Sequence, residues 1–285
     1  MVKEIHADII TAGMQSMGIG AGRVQRRLPS TKLAYNLFVV LLEGVMDSDR
    51  STSAHTQKVD AKQWLRGVLS LAIILGTIAV LLFGSAGRLN WLAAWCLILG
   101  YGVYLVIYML WGFRRNPDLV RERGQVSENV KVWDKWINAI YTLLVVALLI
   151  ISGLDAGRYG WSSVSSAMQI MGGLMVVLAG WLIFRTIVEN DYLSRWARIQ
   201  DDRGQQVIST GPYAVVRHPM YAGIILLMLG MPMALGSLWG LVPGALIGCL
   251  FLLRTSLEDR MLHQELDGYT AYASRVRYRL LPWIW

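Results

Sequence analysis

Residues 211–260 read GPYAVVRHPMYAGIILLMLGMPMALGSLWGLVPGALIGCLFLLRTSLEDR. Two apolar runs, Ala222 to Leu235 and Leu238 to Leu253, are separated only by Gly236-Ser237, so they read as a tight helical hairpin. Each arm is near the lower limit of the roughly 20 residues that cross a bilayer. Pro232 and Pro243 lie within the arms, where proline kinks a helix, and Gly230, Gly240, Gly244 and Gly248 permit close approach. Polar sequence bounds the hairpin on both sides: Arg217, His218, Pro219 and Tyr221 before it, and Arg254, Glu258 and Asp259 after it.

Working outward, four more long apolar runs precede the hairpin: Gly67 to Phe83, Trp91 to Trp111, Trp136 to Leu154 and Ala167 to Val188. The chain of 285 residues is 55% hydrophobic and 16% charged, more apolar than a soluble domain. The fold class expected is all-α: a polytopic membrane protein of about six transmembrane helices. Trp64, Trp91, Trp111, Trp136, Trp161 and Trp239 stand near the ends of the runs, as in an interfacial aromatic belt. Cys96 and Cys249 sit inside apolar runs and read as small hydrophobes, without a disulfide or zinc role. The start of the chain lacks the pattern of a signal peptide, so insertion is expected through the first span.

Residues 1–63 are read as a polar extension, and 64–285 as the membrane domain. The short run Leu33 to Leu42 suits an interfacial helix or a loosely attached segment. Glycines at 18, 20 and 22 do not make a dinucleotide loop, because position 23 is Arg and no strand precedes them. His6 and His55 carry no expected role.

Basic residues decide the expected orientation. Arg50, Lys58, Lys62 and Arg66 precede the first span, and Arg114, Arg115, Arg121, Arg123, Lys131 and Lys135 follow the second. Arg195, Arg198, Arg203 and Arg217 follow the fourth, and Arg254, Arg260, Arg275, Arg277 and Arg279 the last, while the opposite connections hold only Arg88 and Arg158. Positive-inside asymmetry therefore places both termini, the Glu189 to Pro219 loop and the tail on the cytoplasmic side. The net charge of +8 is accounted for this way, with no nucleic-acid partner. A tight hairpin then brings residues 205–221 and 254–285 to one mouth, where they can share a pocket.

Pro219 suits the first position of a helix, whose free amides, with Arg217 beside them, suit a carboxylate. Taken alone, Arg217 and Tyr221 read first as interfacial anchors that reach the headgroups. Arg254, Glu258, Leu262 and Glu265 share one helix face, which fits either a site or a surface helix with Arg to Glu pairs; Asp259, His263 and Asp267 are read as solvated. No metal-ligand spacing, GxSxG turn or P-loop occurs.

The run GPYAVVRHPMYAG, the hairpin, and LRTSLEDRMLHQELDGYTAYASRVRYRLLP together resemble the isoprenylcysteine carboxyl methyltransferase family, in its bacterial branch, and more widely the membrane methyltransferases that include phospholipid N-methyltransferases. The shared features are an RHPxY box, a hairpin, an acidic pair, a Gly-Tyr-x-x-Tyr stretch and an Arg-x-x-Pro end, over about residues 165–285. The resemblance implies methyl transfer from S-adenosylmethionine, bound within about 189–285. Gln206, Val207, Ile208, Gly211 and Tyr213 would wrap the cofactor; His218, Pro219 and Tyr221 would line it; Glu258 and Glu265 would hold its amino group or ribose. Arg217 would orient an anionic group of the acceptor, which makes Arg217 and Glu258 the expected catalytic residues. The acidic pair is Glu258-Asp259 where the family has Glu-Glu.

A carboxylate acceptor, such as a prenylcysteine-like one, needs no general base; an amine or thiol needs one, with His218 or Glu258 nearest. The implied partners are membrane lipids and a lipophilic or small-molecule methyl acceptor, which would enter sideways between spans. Phospholipid amines and small thiols stay open as acceptors. An NADPH-dependent isoprenoid or sterol reductase of similar membrane fold is the alternative chemistry, and a non-enzymatic adaptor the alternative class. Labelled S-adenosylmethionine is expected to bind the detergent-solubilised protein in preference to NADPH; the reverse preference contradicts the methyltransferase reading.

Overall fold

Proline and glycine decide where the hairpin begins, turns and ends. The computed structural model describes residues 61–123 and 130–285, and all elements among them are helical. In chain order these are α1 (Ala61–Ala86), α2 (Leu92–Arg115), α3 (Pro117–Arg123), α4 (Val132–Ser152), α5 (Ser166–Glu189), α6 (Pro219–Leu235), α7 (Leu241–Glu265) and α8 (Tyr269–Arg275). The run Leu33 to Leu42, the glycines at 18, 20 and 22, and His6 and His55 lie outside the described residues.

Five helices are long and apolar enough to cross a membrane: α1, α2, α4 with its π-helical continuation Gly153–Tyr159, α5 and α7. The sixth, α6, has 17 residues, about 25 Å at 1.5 Å per residue, just short of a hydrocarbon core of about 30 Å. Their outer faces carry bare apolar side chains such as Leu92, Val80 and Val177, which only lipid would cover. Trp136, Trp161 and Trp239 are exposed near helix ends, whereas Trp91 is buried. Cys96 and Cys249 are free and exposed.

Pro219 occupies the first position of α6, where its missing N–H has no partner to lose. At the far end Gly236 adopts φ 82°, and the amides of Gly236 and Ser237 close onto the carbonyls of Met233 and Pro232. Pro232 lies inside α6, so the Met228 carbonyl four residues earlier lacks its helical donor. Gly244 of α7 lies against that carbonyl so closely that a Cβ would not fit. Pro243, expected to kink the second arm, instead falls in the first turn of α7, where no intrahelical donor is required of it.

The second arm also runs further than its apolar stretch. The hydrophobic run ends at Leu253, but α7 continues unbroken to Glu265, carrying Arg254, Glu258 and Asp259 on into the polar mouth.

The opposite end of the hairpin is held by a buried acid. Asp155, fully buried in the π-helical turn, accepts from the hydroxyls of Ser162 at 2.6 Å and Ser237 at 2.7 Å, and from the Trp239 amide at 3.2 Å. On the flank, α5 and α6 cross at small residues: a Cβ on Gly230 would meet the Met175 side chain and the Gly172 carbonyl. Gly230→Ala is therefore expected to destabilise the protein by about 1–3 kcal/mol. Gly173→Ala, with nothing within 4 Å of its added Cβ, should not. Thermal unfolding of both variants in detergent checks the contrast.

Candidate functional site

Helical rise places Glu258 and Asp259 about one turn beyond Arg254, on adjacent faces of α7. Asp259 points inward and is 2% exposed. Arg217 pairs with it at 3.1 Å through Nε and donates from Nη2 at 3.2 Å. Arg279 donates to it from Nε at 2.9 Å, the Tyr269 hydroxyl donates at 2.8 Å, and His218 Nε2 lies 3.4 Å away. Asp259, read from the sequence as solvated, is thus the most heavily partnered acid of the site, because two separate segments bring arginines to it and α8 brings a phenol donor.

The tail completes the arrangement. The amides of Arg217 and His218 donate to the carbonyls of Tyr278 and Arg279, at 3.0 and 2.9 Å, so the residues leading into α6 are pinned by the chain that follows α8. Tyr272 donates to the Tyr213 carbonyl at 2.7 Å, and Asn190 to the Tyr213 hydroxyl at 2.9 Å. Burial raises the pKa of the Tyr213 and Tyr269 phenols well above the ordinary value and pushes that of Tyr272 up to about 12. At neutral pH these hydroxyls are therefore protonated and able to donate.

A second buried pair sets the opposite wall. Arg254 meets Asp134 of α4 at 2.9 Å and donates to the Arg195 carbonyl at 3.0 Å. Its guanidinium also lies 5.2 Å from the Tyr221 ring centroid, a cation–π distance. The other Asp134 oxygen accepts the Ala197 amide at 2.9 Å. By these bonds, together with Arg198 to Glu122 of α3 at 2.7 Å, segment 190–200 is drawn over the mouth of the bundle.

Between the walls lies an open cleft of about 800 Å³, its solvent-filled mouth included. It is lined by Gln206, Val207, Ile208, Tyr213, Arg217, His218, Pro219, Tyr221 and Glu258 from the sequence-derived set. Tyr221 stacks on His218 with ring centroids 5.7 Å apart and donates its hydroxyl to Glu258. Two of the expected residues lie elsewhere. Gly211 makes the turn before the pocket at φ 55°, against Glu189. Glu265 is 40% exposed and pairs with Lys131 at 2.8 Å, outside the lining.

Lining residues that sequence reasoning passed over include Asn190, Tyr192, Trp196 and Met261, while Tyr269 and Tyr272, noted only as the Gly-Tyr-x-x-Tyr stretch, line it too. For Trp196 a signal existed, since a large apolar residue in a charged loop needs cover; for Asn190 and Tyr192 no pattern pointed inward. His263 and Asp267 are exposed, as read from the sequence. Among the described residues no cluster suited to a metal ion occurs.

Residues 165–266 match the sequence model of the phospholipid methyltransferase family, a family of membrane methyltransferases. The matched stretch runs from α5 through α7 and so takes in the hairpin and most of the pocket. A comparison with curated proteins finds no match.

Removing the Asp259 carboxylate leaves the buried Arg217 without its main partner. Asp259→Ala should therefore cost about 3–5 kcal/mol of stability. Glu265→Ala, breaking a surface pair, should cost less than about 1 kcal/mol. Denaturation of the two variants in detergent measures the difference.

Proposed function

We propose that the chain is an integral-membrane methyltransferase that moves a methyl group from S-adenosylmethionine to a lipophilic acceptor. The observation that carries this reading is the pocket itself. It combines a carboxylate, side-chain amides, aromatic rings and apolar side chains at the mouth of a membrane hairpin, inside a segment that matches a methyltransferase family. Those groups fit the cofactor chemically. Glu258 suits its cationic amino group or ribose hydroxyls, Gln205 and Gln206 its polar edges, and Tyr192, Met261 and Leu262 its flat base. Bound there, S-adenosylmethionine supplies an electrophilic methyl group on a sulfonium.

The chain's own residues then have to orient and shield. In-line displacement requires nucleophile and methyl at near-contact distance, and no covalent enzyme intermediate. In this reading Glu258 is the group that touches the cofactor, held by the Tyr221 hydroxyl. Arg217 lines the pocket, but it spends its guanidinium on Asp259 and the Ala273 carbonyl, which assigns it a positioning role and leaves only its outer edge for an anionic group. An amine or thiol acceptor needs a proton acceptor, and the candidates at the pocket are His218 and Glu258.

Several finer elements belong to the same proposal. The membrane domain comprises residues 64–285, with 1–63 as an extension and cofactor binding within about 189–285. Basic residues concentrated on the pocket side orient that side to the cytoplasm, together with both termini. Similarity to phospholipid methyltransferases favours a lipid amine as acceptor over the prenylcysteine-like carboxylate suggested by the sequence resemblance.

The test is transfer of label from methyl-labelled S-adenosylmethionine into a total lipid and metabolite extract. The protein is expected to label a lipophilic product, and Glu258→Gln to lower turnover by about 100-fold while its unfolding midpoint stays near that of the parent. Full turnover in Glu258→Gln contradicts the site. Oxidation of NADPH with no label transferred contradicts the reaction.

A further inference from the structure

The segment that follows α8 does more than close the site: it also presents an unused face. Arg275 and Arg277 are exposed, and among the described residues neither makes an ion pair. Beside them Leu281 is 52%, Trp283 86% and Ile284 76% exposed. Trp283 is the only non-glycine residue with a positive φ among the described residues, at 63°. A bulky side chain is therefore held in an unfavourable backbone conformation with its ring turned outward.

The depth of this face is fixed by its pairing. The carbonyls of Tyr278 and Arg279 hold the amides of Arg217 and His218, and Pro219, the next residue, begins α6. Leu280 and Trp285 turn the other way, into the core shared with α6, and Arg279 lies over the Trp285 ring at 5.0 Å. The exposed side therefore sits level with the end of a membrane helix, where tryptophan and isoleucine enter the interfacial layer and arginine meets headgroups.

We propose that residues 275–285 dock on an anionic bilayer surface, and that this docking holds the frame of the pocket. Charge complementarity argues for the occupant: two arginines with no ion pair among the described residues precede an exposed apolar wedge, the combination that binds acidic lipid headgroups. The route to the pocket runs through hydrogen bonds of the tail. Tail backbone holds Arg217 and His218, and the tail's Arg279 holds Asp259. A tail seated on the membrane keeps both in place; a tail that lifts releases both. None of this depends on which reaction the pocket performs.

The experiment is hydrogen exchange of the full chain in nanodiscs of phosphatidylcholine alone and of phosphatidylcholine with phosphatidylglycerol. Peptides covering 211–221 and 276–285 are followed. Phosphatidylglycerol is expected to raise amide protection in both by about tenfold, less as salt is raised. Arg275→Gln with Arg277→Gln should abolish the gain, and Trp283→Ser with Ile284→Ser should abolish it separately. Both pairs lie outside the pocket and should leave the unfolding midpoint in detergent unchanged. Equal protection in the two lipids overturns the proposal, as does a gain that survives the arginine substitutions. A gain that follows protein concentration in place of lipid charge identifies a second copy as the occupant and overturns it as well.

Discussion

Asp259 is the constraint on which the pocket end of this protein depends. A carboxylate that is 2% exposed is tolerated only with compensating charge and hydrogen bonds, and here they come from the residues before α6, from α8 and from the tail. Each of those segments is too short or too polar to fold alone. Joined at one carboxylate, they become a wall. Breaking one partner leaves an uncompensated buried charge, so the three segments hold or fail together.

The hairpin between them is clamped at both ends by the same physics. Asp155 satisfies the turn between α6 and α7 at one membrane face, and Asp134 with Asp259 fixes the other ends of the two helices at the opposite face. Between these clamps Gly244 lets the two arms close on each other, and Gly223 and Gly230 let α6 close on α5. A rigid hairpin delivers Tyr221 from one arm and Glu258 from the other to a common point, where they share a hydrogen bond. The position of the pocket follows from that delivery.

Most of the architecture was legible because hydropathy acts over long stretches. The long apolar runs from Gly67 to Leu253 contain little besides membrane helix, and Gly236-Ser237 leaves room for little besides a turn. The proline pattern was less legible: Pro243 reads as a kink until the helix is seen to start at Leu241, and that start is set by the Asp155 clamp on the turn. At the site, the hairpin argument brought two polar segments to one mouth, and most of the residues named from motif order line one pocket. Glu265 shows the limit of spacing, since it shares a helix face with Glu258 yet faces Lys131. Asp259 shows the limit of local sequence: nothing beside it in the chain announces Arg217 or Arg279, which reach it from 42 and 20 residues away.

Ultraviolet cross-linking of methyl-labelled S-adenosylmethionine, followed by peptide mapping, tests the central claim most directly: that the pocket between α6, α7 and segment 190–208 is the cofactor site. The account predicts label in peptides from 190–221 or 258–272, displaced by unlabelled S-adenosylhomocysteine and unaffected by NADPH. Label confined to other parts of the chain, or displaced by NADPH, would contradict it.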